Sequence, residues 1–295
     1  INQTNKKVTT MKKIIFSLTL LLMVLASCQY KGGAGSGSAV LSFDSLVIDS
    51  TVRLNPNSEQ PNGHLSLHLI YAKPQSNSDA AAKAANLLND SLLRSGLLLP
   101  DFAEGVTPPQ TQTEAPSVYM TKGAHQFAEG FFKIYLADYK DLYRDDQESA
   151  PNYNRSYTVF THVEQGADSI VNYLADTYFY SGGAHGQAAT WARNFNARTG
   201  AIVHLTDMLR PGYERPLTSM IVAKLARQFK VRNLKQLQDS LTIFAWTDPY
   251  IPDNYIINEK GITFIYNPDE IAAHVMGEIR VTFSNKQLSK LLRKK

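Results

Sequence analysis

Residues 173–212 read YLADTYFYSGGAHGQAATWARNFNARTGAIVHLTDMLRPG. Residues 169–180 are rich in aromatic and β-branched side chains, which is typical of a β-strand. Gly182 and Gly183 follow, and glycine reaches backbone torsions that other residues rarely adopt, so this pair suits a tight corner. Residues 187–196 then predict the partner strand. We therefore expect a long hairpin here, around which the rest of the chain is organised.

A second turn and a helix start follow this hairpin. Thr199 and Gly200 predict a turn into a short strand over residues 202–205. Thr206 and Asp207 are typical of a helix start, because their side-chain oxygens can accept hydrogen bonds from the first helical amides. The helix predicted next, over residues 213–229, places four apolar side chains on one face: Leu217, Ile221, Leu225 and Phe229.

Three further strands are predicted on the N-terminal side of the hairpin. Apolar and polar residues alternate over residues 41–54 and, more regularly, over residues 64–71. Turn-forming residues separate these segments, which predicts a long antiparallel pair. Residues 155–164 predict a strand that precedes the one at 169–180.

Two helices are predicted between these strands. Ser78 or Asn77 can cap a helix that runs to about residue 93 and ends before Gly96, and its inward residues are expected to be Ala81, Ala84, Ala85, Leu88 and Leu92. A second helix over about residues 124–143 repeats large apolar residues at helical spacing. We expect this second helix to pack in the core with Phe127, Phe131, Phe132, Tyr135, Leu136, Tyr139 and Leu142.

The C-terminal part predicts three short strands and a closing helix. The strands cover residues 255–257, 261–266 and 279–283, and the helix covers 286–292. Strands that are grouped together, without regular strand-helix alternation, favour an α+β fold. We therefore expect antiparallel sheets with helices packed on one face, in two subdomains at residues 40–203 and 204–295.

The first residues have the pattern of a bacterial lipoprotein signal. Met11 is the expected start, Lys12 and Lys13 form a charged region, and an apolar run over residues 14–26 is too short to span a bilayer. Leu-Ala-Ser-Cys at 25–28 has the small residues and the thiol that lipidation of Cys28 requires. The sequence predicts a signal peptide at residues 1–27 and a Gly/Ser-rich flexible tether at 28–39. A signal-anchor, or an ordinary cleaved signal, stays open as the alternative.

The targeting segment accounts for the basic charge of the chain. The whole sequence has 30 Lys and Arg against 26 Asp and Glu, a net charge of +4. Four lysines and no acidic residue precede Cys28, so the part from Cys28 onward has a net charge of zero. Nucleic-acid binding is therefore not expected. Because Cys28 is the one cysteine of the sequence, the folded part cannot form an internal disulfide.

The lipoprotein signal also predicts the location. We expect a lipid-anchored protein of the cell envelope, attached to a membrane through Cys28. Gln29 follows Cys28 where an aspartate would favour the inner membrane, so the outer membrane is the expected site. The side of the membrane that the protein faces is open.

Several segments resemble a known family of extracytoplasmic domains. These are YFYSGGAHG at 178–186, NFN at 194–196 with Thr199-Gly200, LTDML at 205–209, and KGITFIYN at 260–267 with the residues up to 279. The pattern resembles the domain shared by the lysozyme-sensing anti-sigma factor RsiV and PdaC-type peptidoglycan deacetylases. The resemblance implies a recognition module for envelope material, either peptidoglycan or a muramidase such as lysozyme. The chain departs from the family at Ala272-Ala273-His274, where Ala-Pro-Tyr is often found.

Neither activity named in this family is expected here. Anti-sigma activity needs a cytoplasmic segment and a membrane span, which we do not expect in this chain. A deacetylase needs a metal, and His64 and His68 have the spacing of a metal pair on a helix. On a strand, however, the two imidazoles would stand about 13 Å apart. We therefore predict no metal site and no cofactor.

A hydrolytic triad is the main catalytic alternative. Ser181, His185 and Asp176 are the residue types that acyl transfer requires. They lie within one hairpin, and no glycine-flanked elbow surrounds Ser181. A structural role in the turn is the simpler interpretation, so we do not expect an enzyme.

The candidate binding residues lie in two places. Trp246, Asp248, Tyr250 and Asp253 occupy a proline-containing stretch at residues 243–253 that we expect to be irregular. Aromatic rings beside carboxylates suit sugars and basic proteins. The corner of the central hairpin adds Tyr180 and His185.

The sequence thus favours a non-enzymatic, lipid-anchored binding module with a cell-wall-related ligand. Two alternatives remain open. One is a wall-polysaccharide hydrolase or a deacetylase-associated enzyme, and the other is an envelope scaffold lipoprotein.

Overall fold

A computed structural model describes residues 41–94 and 115–293 of the chain. Cys28, the predicted signal peptide and tether, and the predicted helix end at Gly96 lie outside the described residues. No helix in the described part is both long and apolar enough to cross a membrane.

The N-terminal half forms a five-stranded sheet with two long helices. The strands are β1 (Leu41–Arg53), β2 (Asn62–Pro74), β3 (Arg155–Gln165), β4 (Ile170–Tyr180) and β5 (Gln187–Asn196), and they lie in this order across the sheet. The helices are α1 (Asp79–Arg94) and α2 (Pro116–Asp145). A short 3-10 helix, Ala150–Tyr153, precedes β3.

The C-terminal half forms a three-stranded sheet with shorter helices. In chain order these elements are α3 (Leu205–Met208), α4 (Glu214–Gln228), α5 (Leu234–Leu241), β6 (Tyr255–Asn258), β7 (Gly261–Tyr266), β8 (Ile279–Ser284) and α6 (Asn285–Leu288). The sheet order is β6-β7-β8, and both pairings are antiparallel. The α+β fold with two sheet subdomains is therefore confirmed.

The predicted β1–β2 pair and the central hairpin are present. Leu41 pairs with Pro74 and Arg53 with Asn62, so β1 and β2 are antiparallel over their whole length. β4 and β5 are antiparallel as well. β2 and β3, however, are parallel. Parallel neighbours need a long crossover connection, and α1 and α2 lie in this one.

The helices pack on one face of the five-stranded sheet. Strand residues such as Leu67 and Val159 contact a cluster that includes Leu88 of α1 and Phe127 and Phe131 of α2. The inward residues predicted for α1 are all buried: Ala81, Ala84, Ala85, Leu88 and Leu92. In α2 the apolar stripe is buried as far as Tyr135, whereas Leu136 and Tyr139 are half-buried and Leu142 is 53% exposed.

The opposite face of β4 and β5 packs against the three-stranded sheet. Leu174 and Ala192 form a small cluster with Ile256 and Ile265. Both faces of β4 are therefore covered at this end, since Val171 and Tyr173 point into the helical core.

Three predictions about elements are wrong. The strand predicted over residues 202–205 is reduced to one antiparallel β-bridge, between Ile202 and Phe195, because α3 already begins at Leu205, where the carboxylate of Asp207 accepts the amide of His204 at 2.8 Å. The closing helix ends at Leu288, and Leu292 instead forms a β-bridge with Leu209. Helix α2 begins at Pro116 rather than residue 124.

Helix α5 was not predicted. It has a clear start, because the Asn233 side chain accepts the amide of Gln236 at 3.1 Å. It is short, and only Leu237 of its residues is buried.

Candidate functional site

A cleft of about 550 Å³ lies between the outer edge of β5 and two loops of the C-terminal subdomain. One loop contains residues 250–254 and the other contains residues 267–274. The cleft places an aromatic ring, a guanidinium, carboxylates and an imidazole around one space. Its lining includes Trp191, Arg193, Tyr250, Asp253, Glu270 and His274.

Two asparagines hold the loops against the edge of β5. The Asn254 side chain accepts the amide of Ala192 at 2.7 Å and donates to the carbonyl of Thr190 at 2.7 Å. The Asn267 side chain accepts the amide of Thr190 at 2.8 Å. These side chains satisfy backbone groups that a further strand would otherwise pair. The outer edge of β5 is therefore not available to pair with a further strand at these residues. The cleft lies beside this edge.

A hydrogen-bond network forms one wall of the cleft. The Tyr250 hydroxyl donates to one carboxylate oxygen of Glu270 at 2.6 Å. The backbone N–H of Asn267 donates to the other carboxylate oxygen at 2.7 Å. The Tyr266 hydroxyl donates to the carbonyl of Tyr250 at 2.6 Å. Burial, and then the hydrogen bond to Glu270, raise the pKa of Tyr250 above its usual value. Tyr250 is thus a fixed, protonated donor in this wall.

The end of the cleft carries two stacked histidines. The rings of His185 and His274 have centroids 4.9 Å apart and planes 20° apart. Asp269 lies 2.8 Å from Nδ1 of His274. The Tyr180 hydroxyl donates to the carbonyl of Gly183 at 3.0 Å, which fixes the corner that carries His185. The corner of the central hairpin therefore reaches the second loop of the cleft.

The structure separates the six predicted binding residues. Tyr250 and Asp253 line the cleft, and His185 joins it through the stack on His274. Tyr180 contacts the corner of the central hairpin through the hydrogen bond from its hydroxyl to the Gly183 carbonyl. Trp246 and Asp248 are exposed but do not belong to the lining of the cleft.

The residues of the considered triad have different partners. Asp176 accepts the Thr190 hydroxyl at 2.9 Å and lies 3.7 Å from His162, whereas His185 stacks on His274. The Ser181 carbonyl accepts the Tyr139 hydroxyl at 3.3 Å.

The two strand histidines also have separate contacts. His64 lies 3.3 Å from Asp49, and His68 stacks on Phe160 at 4.6 Å. Within residues 41–94 and 115–293, no group of three or more His, Cys, Asp or Glu side chains is arranged to hold a metal ion.

Sequence reasoning missed most of the cleft lining, including Trp191, Arg193, Asn254, Asn267, Asp269, Glu270 and His274. A local signal existed at one of them, because His274 lies where the chain departs from the family pattern. The others come from segments far apart in the chain, which only the fold brings together.

Comparison with known proteins finds one family model that matches part of the C-terminal subdomain. Residues 206–286 match the family model described as "Protein of unknown function (DUF3298)". No curated protein matches the chain in a sequence search.

Two crystal structures of DUF3298 proteins share the fold. One, from Bacteroides fragilis, is 22% identical to this chain and superposes on it with a TM-score of 0.72. The match covers 87% of this chain and 95% of the Bacteroides chain. The other, from Pseudomonas aeruginosa, is 15% identical, covers 85% of this chain and 94% of its own, and gives a TM-score of 0.52. At these identities the likeness is one of fold.

Proposed function

We propose that this protein is a non-enzymatic, lipid-anchored binding module of the cell envelope that receives a cell-wall-related ligand in the cleft beside β5. The ligand class is peptidoglycan or a muramidase of the lysozyme type. The anchor is Cys28, in the predicted lipoprotein signal, and the expected location is the outer membrane. The resemblance to the RsiV and PdaC domains supports this ligand class.

The lining of the cleft is the observation that carries the proposal. Trp191 is 38% exposed and offers an aromatic ring to a sugar or to an apolar side chain. Glu270 and Asp269 are engaged by Tyr250 and His274. Asp253 is exposed and has no hydrogen-bond partner within the described residues. The Asp253 carboxylate can therefore accept a hydrogen bond from a sugar hydroxyl or form an ion pair with a cationic protein.

Calorimetry tests this assignment with two ligands, soluble peptidoglycan fragments and a cationic muramidase. We expect one of them to bind, and Asp253→Asn to weaken that binding by about tenfold, or about 1.4 kcal/mol. Trp191→Ala is expected to weaken it as well. Glu148→Gln, an exposed carboxylate outside the cleft, is the matched control and is expected to bind normally. Absence of binding to both ligands would refute the proposal.

A wall-polysaccharide hydrolase is the second candidate, and the His274–Asp269 pair is the observation that favours it. A histidine oriented by a carboxylate is a usual general base. This candidate predicts turnover of peptidoglycan that His274→Ala and His185→Ala both abolish without unfolding the protein. Turnover that survives in both variants would exclude this site.

A further inference from the structure

The charge of the C-terminal subdomain is unevenly distributed along the chain. Residues 215–238 contain six basic residues and no acidic residue, although the chain from Cys28 onward has a net charge of zero. Lys235 pairs with Asp239 at 2.5 Å, and within the described residues the other five form no ion pair. The six are Arg215, Lys224, Arg227, Lys230, Arg232 and Lys235. Three of them, Arg227, Lys230 and Arg232, are exposed between the last turn of α4 and the start of α5, and we call these three the basic face.

An apolar groove of about 660 Å³ lies within the basic face. It runs between α4 and the segment that leads into α5, and its walls include Val222, Val231, Leu234 and Pro249. Arg227 and Arg232 also line it, and both are exposed. The groove thus combines apolar walls with two unpaired guanidinium groups.

Trp246 lies three residues before Pro249 and is 57% exposed. It does not line the cleft beside β5. An exposed tryptophan is typical of surfaces that meet the boundary between lipid and water, because its ring is apolar and its N–H is a donor. Basic residues beside such a ring add electrostatic attraction to anionic lipids.

We propose that the basic face docks on an anionic phospholipid surface. Arg227 and Arg232 bind lipid phosphates, and Trp246 enters the headgroup region. The proposal rests on the envelope anchoring in the proposed function, because the predicted tether, residues 28–39, would give a root-mean-square distance of about 20 Å between the lipid anchor and the domain. An acidic protein partner would satisfy the same charges, but the exposed tryptophan and the tether favour lipid.

Sedimentation with vesicles tests the proposal. The protein is the chain from residue 28 onward with Cys28→Ser, which retains every described residue and carries no lipid. We expect it to bind vesicles of phosphatidylglycerol and phosphatidylcholine and not vesicles of phosphatidylcholine alone. Binding is expected to fall as salt is raised, because surface charges are screened. The double variant Arg227→Glu/Arg232→Glu is expected to bind at least about tenfold more weakly, and Trp246→Ala is expected to bind more weakly than the parent.

The matched control is Lys133→Glu/Lys140→Glu on α2, which changes the net charge equally on exposed residues of the other subdomain. Normal vesicle binding by this control is expected. An equal loss of vesicle binding in the control would refute a specific role for the basic face. Binding to poly-glutamate without binding to vesicles would refute the lipid proposal and indicate an acidic protein partner instead. The assay contains no wall ligand, so its outcome is independent of whether the cleft binds one.

Discussion

The imidazole rings of His185 and His274 stack with centroids 4.9 Å apart, and they join the corner of the central hairpin to a loop of the other subdomain. His185 follows the glycine pair after β4, and His274 begins the 3-10 helix before β8. Asp269 lies 2.8 Å from Nδ1 of His274. The stack therefore connects two segments that are distant in sequence, and one of its rings, that of His274, lines the cleft.

His185→Ala removes this stack. We expect the variant to lose about 0.5–1 kcal/mol of stability, since the rings are exposed and aromatic pairs contribute in this range. Faster hydrogen exchange at residues 183–186 is also expected, because the corner loses its contact. Urea denaturation and amide exchange measure the two effects. His125→Ala on α2 is the control, and unchanged exchange at the corner in His185→Ala would contradict the role given to the stack.

Asn172→Ala should destabilise the protein strongly. The buried Asn172 side chain donates to the carbonyl of Ile257 at 2.9 Å and accepts its amide at 3.2 Å. The Ile257 carbonyl would lose this donor, whereas the Ile257 amide also donates to the Asn194 side chain at 3.3 Å, so we expect a cost of roughly 1–3 kcal/mol.

Asn89→Ala is the matched variant for Asn172→Ala. Asn89 makes the same pair of bonds to Ala72, at 2.8 Å each, within the N-terminal subdomain. We expect similar losses in chemical denaturation, but separate unfolding of the subdomains in Asn172→Ala alone. Single-step unfolding of both variants would show that contacts other than those of Asn172 hold the two subdomains together.

Tyr250→Phe should alter the stability at high pH. The pKa of Tyr250 is raised by burial and then by Glu270, so the folded state holds the phenolic proton more tightly than the unfolded state. The resulting stability is complete below about pH 10, where the free side chain titrates, and is lost as pH rises through the folded pKa. Tyr250→Phe is expected to lose about 1 kcal/mol at neutral pH and to show a shallower alkaline decline.

Denaturation at neutral pH and at about pH 11 measures both effects of Tyr250→Phe. Tyr178→Phe, at an exposed ring, is the control. An alkaline decline as steep as that of the parent protein would argue against the raised pKa.

Adjacent glycines in the corner should respond differently to alanine. Gly182 and Gly183 have φ values of +88° and +94°, so each substitution costs about 1 kcal/mol in backbone strain. A Cβ atom at Gly182 would also lie 2.6 Å from the carbonyl oxygen of Asn152, whereas none of the described atoms lies within 4 Å of one at Gly183. Urea denaturation should show the larger loss for Gly182→Ala; equal losses would contradict the close approach.

The strands could be predicted because their side chains alternate strongly, as at residues 64–71, where the odd-numbered leucines face the core. The parallel pairing of β2 and β3 could not, because alternation does not reveal strand direction. Helix α5 was missed because it buries little. The helix start near Asp207 was predictable from the side chains of Thr206 and Asp207, and the Asp207 carboxylate accepts the amide of His204 there.

The candidate site was predictable only in part. The composition of residues 243–253 pointed to Tyr250 and Asp253, and both line the cleft. The same reasoning included Trp246, which is exposed but lies outside the lining. Asn267 contacts β5 at Thr190, 77 residues earlier in the chain. Such a contact follows from the packing of the two sheets, which no local pattern encodes.

The contact between the two sheets is made by amides rather than by ion pairs. Asn172, Asn194 and Asn254 are buried there, and each binds backbone groups of the opposite subdomain. Carboxamide side chains do not change charge with pH, and their hydrogen bonds are not screened by salt as surface ion pairs are. The relative orientation of the two subdomains should therefore stay constant when the acidity or salinity of the surroundings changes.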